Sequence, residues 1–207
     1  MLSLINPIRR PEPFDHPDWI FEAKFDGFRA AADTVRGHLI SRNGNRMKRF
    51  EEVLSLLPPG VVLDGELVVL DDAGRPLFDK LLFGDRRPTY VAFDLLFADG
   101  IDLRPLPLSD RKARLAQIAK HAEGWIALTN GVVGEGRSLY QAVVDADLEG
   151  IVAKKLADPY NPKHTRWHKI LNRGYSQRQG RAEWFRERQA TPGSSNRPSS
   201  VQGLAAQ

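Results

Sequence analysis

Ten residues, Val61 to Leu70, read VVLDGELVVL, and this run constrains the fold more than any other. It is rich in valine and leucine and is closed by the turn-prone Asp71-Asp72-Ala73-Gly74, the composition of a half-buried strand. Side chains alternate between the two faces of a strand, so Asp64 and Glu66 fall on one side and Leu63 and Leu67 on the other.

A second strong strand is predicted over Thr89 to Phe97, in which Phe93 and Asp94 must face opposite ways. Ile20 to Lys24, Phe28 to Asp33 and His38 to Ser41 read as shorter strands, the last two separated by the Arg36-Gly37 turn. Trp125 to Thr129 and Gly150 to Leu156 complete the strand pattern. Phe50, Val53, Leu54 and Leu57 fall at helical spacing and are stopped by Pro58-Pro59-Gly60, so a surface helix covering a sheet is expected over Lys48 to Leu57. Arg111, Leu115, Ile118 and Ala119 space a helix over Leu108 to Lys120. Leu139, Ala142, Val143 and Ala146 space another over Ser138 to Leu148. Helices distributed among strands predict an α+β domain with mostly antiparallel sheets. The first 20 residues hold four prolines and read as an irregular lead-in. Beyond Trp184 the chain turns to Ser, Gly, Pro, Gln and Arg without apolar period, so the domain is expected over 1–187 and a flexible polar tail over 188–207.

Composition excludes several classes. Hydrophobic residues make up 42% of the chain and charged residues 27%, a globular balance. No apolar run reaches the roughly 18 residues of a membrane span. The opening MLSLINPIRRPEPF lacks the apolar core of a secretory signal, and cysteine is absent, which removes disulfides and thiolate metal sites. A cytoplasmic protein, not membrane-bound, is expected. The net charge of +4 permits a polyanionic partner without demanding one.

The chemistry concentrates in Glu22-Ala23-Lys24-Phe25-Asp26-Gly27-Phe28-Arg29, where two carboxylates, a lysine and an arginine surround a glycine at a strand end. Alternation puts Glu22, Lys24 and Asp26 on one face, a face usually reserved for apolar side chains or for a cleft. From the residues alone, Lys24 is a surface charge, a buried ion-pair member or a nucleophile.

The string KFDGFR resembles the signature of the covalent nucleotidyltransferases: ATP-dependent DNA ligases, RNA ligases and RNA capping enzymes. It is followed in the ligase order by Ser41-Arg42-Asn43-Gly44, Asp64-Gly65-Glu66-Leu67, Val91 to Leu96, Glu149-Gly150-Ile151-Val152-Ala153-Lys154 and Trp167-His168-Lys169. The flanking sequence, with Tyr175-Ser176-Gln177 near its close, is most similar to bacterial DNA ligase and ligase-like domains. The resemblance implies an ATP-grasp-like nucleotidyltransferase fold, its sheets enclosing a nucleotide cleft. It implies Lys24 as the residue that attacks the α-phosphate of ATP and carries AMP, with Asp26 supporting its loop. Arg29 and Arg42 become phosphate or nick-end contacts, for which guanidinium forks are suited. Glu22 becomes an adenine contact, and Glu66 a ribose contact that also organises the metal. Glu149 resembles a metal-site carboxylate, for Mg2+ or Mn2+. Phe93 has a core explanation in its apolar strand; the resemblance makes it stack on adenine, with Ile151 or Val152 on the other face. Lys154 and Lys169 become phosphate-neutralising groups. Gly27 and Gly65 become points of turn or close approach near the nucleotide.

The implied substrates are ATP and a nicked DNA duplex, handled by a monomer. Two departures qualify that expectation. Leu171 stands where the last ligase motif usually has a second lysine, with Lys163, Arg166 and Arg173 as possible substitutes for its charge. The residues after this point are too few and too polar for the β-barrel that ordinarily follows, so sealing is expected to call on a separate DNA-repair partner. The alternative is a noncatalytic nick-binding or partner-binding module that retains the fold.

Overall fold

The computed structural model describes residues 2–84, 86–120, 126–129 and 131–178. The expected domain end near 187, the 188–207 tail and the start of the Trp125 strand lie outside them. In chain order the elements are β1 (Ile8–Arg9), β2 (His16–Lys24), β3 (Phe28–Asp33), β4 (His38–Ser41), a 3-10 helix (Lys48–Leu56), β5 (Val62–Val68), α1 (Phe78–Phe83) and β6 (Thr89–Ala98). Then come β7 (Ile101–Asp102), α2 (Leu108–Ala119), β8 (Ile126–Leu128), β9 (Val132–Gly134), α3 (Gly136–Asp145), β10 (Gly150–Lys155) and β11 (His168–Leu171).

Two sheets form. The first has the order β1-β11-β10-β2-β9; the second has the order β4-β3-β5-β6-β7, with β8 also on β6. Pairing is antiparallel except for β1 with β11 and β6 with β8. The second sheet is built from a contiguous stretch of chain, whereas the first takes its strands from both sides of that stretch. Residues 25–27 carry the chain from one sheet to the other.

Alternation sorts the side chains into layers. Leu63, Leu67, Tyr90 and Leu95 face outward from the second sheet onto Phe50 and Val53 of the 3-10 helix, Leu81 of α1 and Leu115 of α2. Phe21, Ile151, Ala153 and Ile170 face outward from the first sheet onto Val143 of α3. Between the sheets lies a smaller cluster of Ile5, Val62, Leu96, Tyr160 and Trp167. The rest of that inner layer is polar, and the cleft opens there.

The expected helix over Lys48 to Leu57 is 3-10. Phe50 and Val53 stand three apart, and three residues per turn brings both to the buried edge. Arg111, at helical spacing from Leu115, is fully buried: its guanidinium grips both oxygens of buried Asp94 at 2.8 Å and donates to the Leu106 carbonyl at 2.6 Å. Burial pushes the Asp94 pKa up, with Arg111 opposing it. No helix among the described residues is long and apolar enough to cross a membrane.

Candidate active site

A cleft of about 820 Å³ separates the two sheets. Lys24, the last residue of β2, reaches it from the first sheet, and its Nζ lies 2.7 Å from Glu149 Oε2. Glu149 immediately precedes Gly150, whose φ of 148° and place directly against the Ile170 carbonyl leave no room for a side chain. Gly150 pairs with Lys24 across the sheet, and that register brings lysine and carboxylate together.

One strand pair over, Val152 faces Glu22, and Lys154 follows Val152 on the same side of β10. Glu22 is only 2% exposed, and its carboxylate is shared: Oε2 accepts from Lys154 and Oε1 from Lys112 on α2. Burial would raise the Glu22 pKa, but these two ammonium groups outweigh it and hold the carboxyl below its ordinary value. Burial lowers the Lys154 pKa against the opposing pull of Glu22.

The second sheet supplies Arg29, Glu66 and Phe93. Arg29 Nε and Nη2 each lie 2.6 Å from one oxygen of buried Asp64, which also accepts from the Tyr160 hydroxyl at 2.6 Å. Burial would lower the Arg29 pKa; Asp64 outweighs it and holds the guanidinium above its ordinary value. Asp64 faces Asp94 and Gly65 faces Ala92, so Phe93 is an extra residue on β6 with no partner on β5. Such a register shift re-aims a side chain, and the half-buried Phe93 ring lines the cleft. Arg29 Cζ stands 4.5 Å from its centroid and Lys154 Nζ 4.3 Å. Arg42 is exposed at the rim, and Lys169 lines the wall contributed by β11.

The structure therefore brings Glu22, Lys24, Arg29, Arg42, Glu66, Phe93, Glu149, Lys154 and Lys169 to one cavity. Two expected residues lie elsewhere. Ile151 is fully buried in the core beneath α3, because it alternates with Val152; Val152 occupies the cleft wall instead. Asp26 is buried beside a separate small cavity lined by Glu149, Leu171, Asn172, Tyr175 and Arg178, and it accepts from the Tyr175 hydroxyl at 3.3 Å. It lies off the main cleft, in the 25–27 segment that follows Lys24, the position of a residue that supports the lysine loop and does not line the cleft. The glycines differ too. A Cβ on Gly27 would lie 2.1 Å from the Leu67 carbonyl at the cleft, whereas Gly65 makes room for the Tyr90 ring on the outward face. Of the groups considered as substitutes for a lysine at 171, Arg166 bonds the Lys163 carbonyl and Arg173 pairs with Glu12, and neither lines the cleft.

Lys112 has a place at the site that its sequence context did not announce. Spacing put Arg111 on the buried face of α2, but a neighbouring lysine carries no period that marks it. Trp167 lines the cleft and packs edge-on to Phe93 at 6.0 Å.

Among the described residues no group of three or more His, Asp or Glu side chains converges on a metal position. Glu66 and Glu149 both line the cleft. Mg2+ is commonly held by one or two carboxylates with water and substrate phosphate, so this donor set fits such an ion and not an all-protein cage.

A family model described as the ATP dependent DNA ligase domain matches residues 11–170. The SPbeta prophage-derived DNA ligase-like protein LigB of Bacillus subtilis is 31% identical over 178 residues, covering 80% of this chain and 66% of that protein. The multifunctional non-homologous end joining protein LigD of Pseudomonas aeruginosa is 35% identical over 169 residues, covering 74% of this chain and 20% of that protein. Mycobacterial DNA ligase D complexed with ATP and MES superposes with a TM-score of 0.72 at 28% identity, covering 83% of this chain and 60% of that one. The chain thus spans about two thirds of the first relative and one fifth of the second.

Proposed function

The chain belongs to the ATP-dependent DNA ligase domain family, and on that premise we propose that it is an adenylyltransferase that carries AMP on Lys24 and delivers it to nicked duplex DNA. The observation that carries this reading is the lysine itself: Lys24 Nζ enters the cleft 2.7 Å from Glu149 Oε2, with further cations and an aromatic ring along the same walls.

Nζ must shed its proton before it attacks, and a divalent ion held by Glu149, 2.7 Å away, would disfavour the ammonium form. The neutral amine then forms a bond to the α-phosphorus, the bond to the bridging oxygen breaks, and pyrophosphate leaves. AMP passes from Nζ to the 5′-phosphate at a nick, and the 3′-hydroxyl displaces it. Lys169 and Arg42 offset phosphate charge at the wall and rim. Arg29, fixed by Asp64, stands with its guanidinium carbon 4.5 Å from the Phe93 centroid and adds positive charge to that wall. Mg2+ or Mn2+ at Glu66 and Glu149 would neutralise triphosphate charge and stabilise the leaving pyrophosphate. The protein works as a monomer in the cytoplasm.

The test is incubation with α-labelled ATP and Mg2+ or Mn2+, followed by denaturing electrophoresis. A labelled protein band is expected. No band with either metal, together with no sealing of preadenylated nicked DNA, would overturn the reading in favour of a noncatalytic nick-binding module.

Phe93 supplies a narrower test. Stacking of a base on an aromatic ring contributes about 1–3 kcal/mol, so Phe93→Ala should weaken ATP binding roughly fivefold to 150-fold. Titration with ATP reads the loss, and a retained cooperative melt separates it from collapse of the Ile5–Trp167 cluster. Unchanged affinity in a destabilised protein would assign Phe93 to the core alone.

A further inference from the structure

Lys112 belongs to none of the strings that carry the family resemblance, yet its ammonium ends at the deepest carboxylate of the cleft. It projects from α2, beside Arg111, which anchors that helix to Asp94. Nζ donates to Glu22 Oε1 on β2 and lies 3.4 Å from the Thr129 carbonyl just after β8. One side chain therefore ties the helix behind the second sheet to the central strand pair of the first. With Lys154 on Oε2, the Glu22 carboxylate is held at both oxygens and cannot rotate. Each oxygen has two lone-pair directions, so one remains on each after the lysines are satisfied.

We propose that Lys112 is a positioning residue for base choice: it locks Glu22 as a hydrogen-bond acceptor for an exocyclic amine, so that the cleft takes adenine in preference to guanine. This rests on the adenylyltransferase reading above. Adenine presents an amine where guanine, in the same orientation, presents a carbonyl. An ionised carboxylate pairs with the first and sets acceptor against acceptor with the second. The groups that face Glu22 are Lys112 from α2 and Lys154 from β10, with Asp94 of β6 acting on Lys154. Both lysines favour the ionised carboxylate. Without Lys112, Glu22 takes up a proton at higher pH, gains a donor and loses its bias against a carbonyl.

The experiment uses the full chain as wild type, Lys112→Met and Lys112→Arg. Equilibrium binding of ATP and of GTP is titrated between pH 5 and 9, and labelled adduct formation is followed alongside. Lys112→Met should lose about tenfold of the preference for ATP over GTP. The acidic limit of its ATP binding should move to higher pH, and Lys112→Arg should restore most of both. Should Lys112→Met fail to melt cooperatively, Lys112→Gln, which keeps a donor without the charge, reads the same ratio. If the substitution weakens ATP and GTP equally, or changes neither, Lys112 is structural and the proposal falls. The parent reading fails separately: a wild type that binds ATP yet forms no adduct refutes adenylyl transfer while leaving base choice measurable.

Discussion

Lys24→Ala should leave no covalent AMP adduct while retaining ATP binding within a few-fold. The adduct requires an amine at the end of β2, and alanine supplies none. No cysteine exists anywhere in the chain to offer a thiolate in its place. The other lysines at the cleft are committed or displaced: Lys154 and Lys112 are clamped on Glu22, and Lys169 lies on β11, away from the Glu149 contact. Retention of ATP binding is expected because the Phe93 wall, Glu22 and the cleft-lining Arg42 and Lys169 are untouched. The measurement is the labelled band after denaturing electrophoresis, with its acid lability and alkali stability checked as marks of a phosphoramidate. An undiminished band in Lys24→Ala would assign the nucleophile elsewhere.

The second large effect is on stability. Arg111→Met should destabilise the fold by about 3–5 kcal/mol at neutral pH, because it leaves buried Asp94 charged and without its guanidinium. That is a large part of the roughly 5–15 kcal/mol that holds a domain folded. The loss should shrink in acid. The folded-state pKa of Asp94 is already raised by burial, and removing Arg111 raises it further. A carboxyl with a raised folded pKa favours the folded state fully below its unfolded pKa, near about 4, and loses that advantage as pH rises through the folded value. Urea unfolding at pH 7 and pH 5 therefore should give a smaller gap between wild type and variant at pH 5. An equal gap at both would mean that the cost arises from packing and not from the stranded charge.

Much of this was legible because period and chemistry agreed. β3 runs from Phe28 to Asp33 and β4 from His38 to Ser41, as alternation and the Arg36-Gly37 turn required. Arg111 announced its burial by standing one helical turn from Leu115. Where two adjacent residues were equally apolar, local pattern could not choose: Ile151 and Val152 differ only in which sheet face the register hands them. Asp26 left the face that alternation gave it for a related reason, since β2 ends at Lys24 and the period of two no longer governs the loop beyond it. The elements absent from the sequence reading were short. α1 has six residues, β11 has four, and β1, β7 and β9 have two or three each. Their conformation follows from what they pack against, and a local window does not contain that. Lys112 is the extreme case, because its partner Glu22 is 90 residues away.

The division of the chain between the sheets has a temporal side. All the strands of the second sheet come from residues between Phe28 and Leu128 and can pair while the chain is still being made. The first sheet cannot: β2 waits for β10, and β1 waits for β11. Pairings this distant in sequence form late, since loop closure must precede the contacts that reward it. The carboxylate that meets Lys24 arrives on the late side. A growing chain thus carries Lys24 through 125 further residues before Glu149, its partner across the sheet, is made, and the cleft has both its walls only when β10 and β11 close the first sheet.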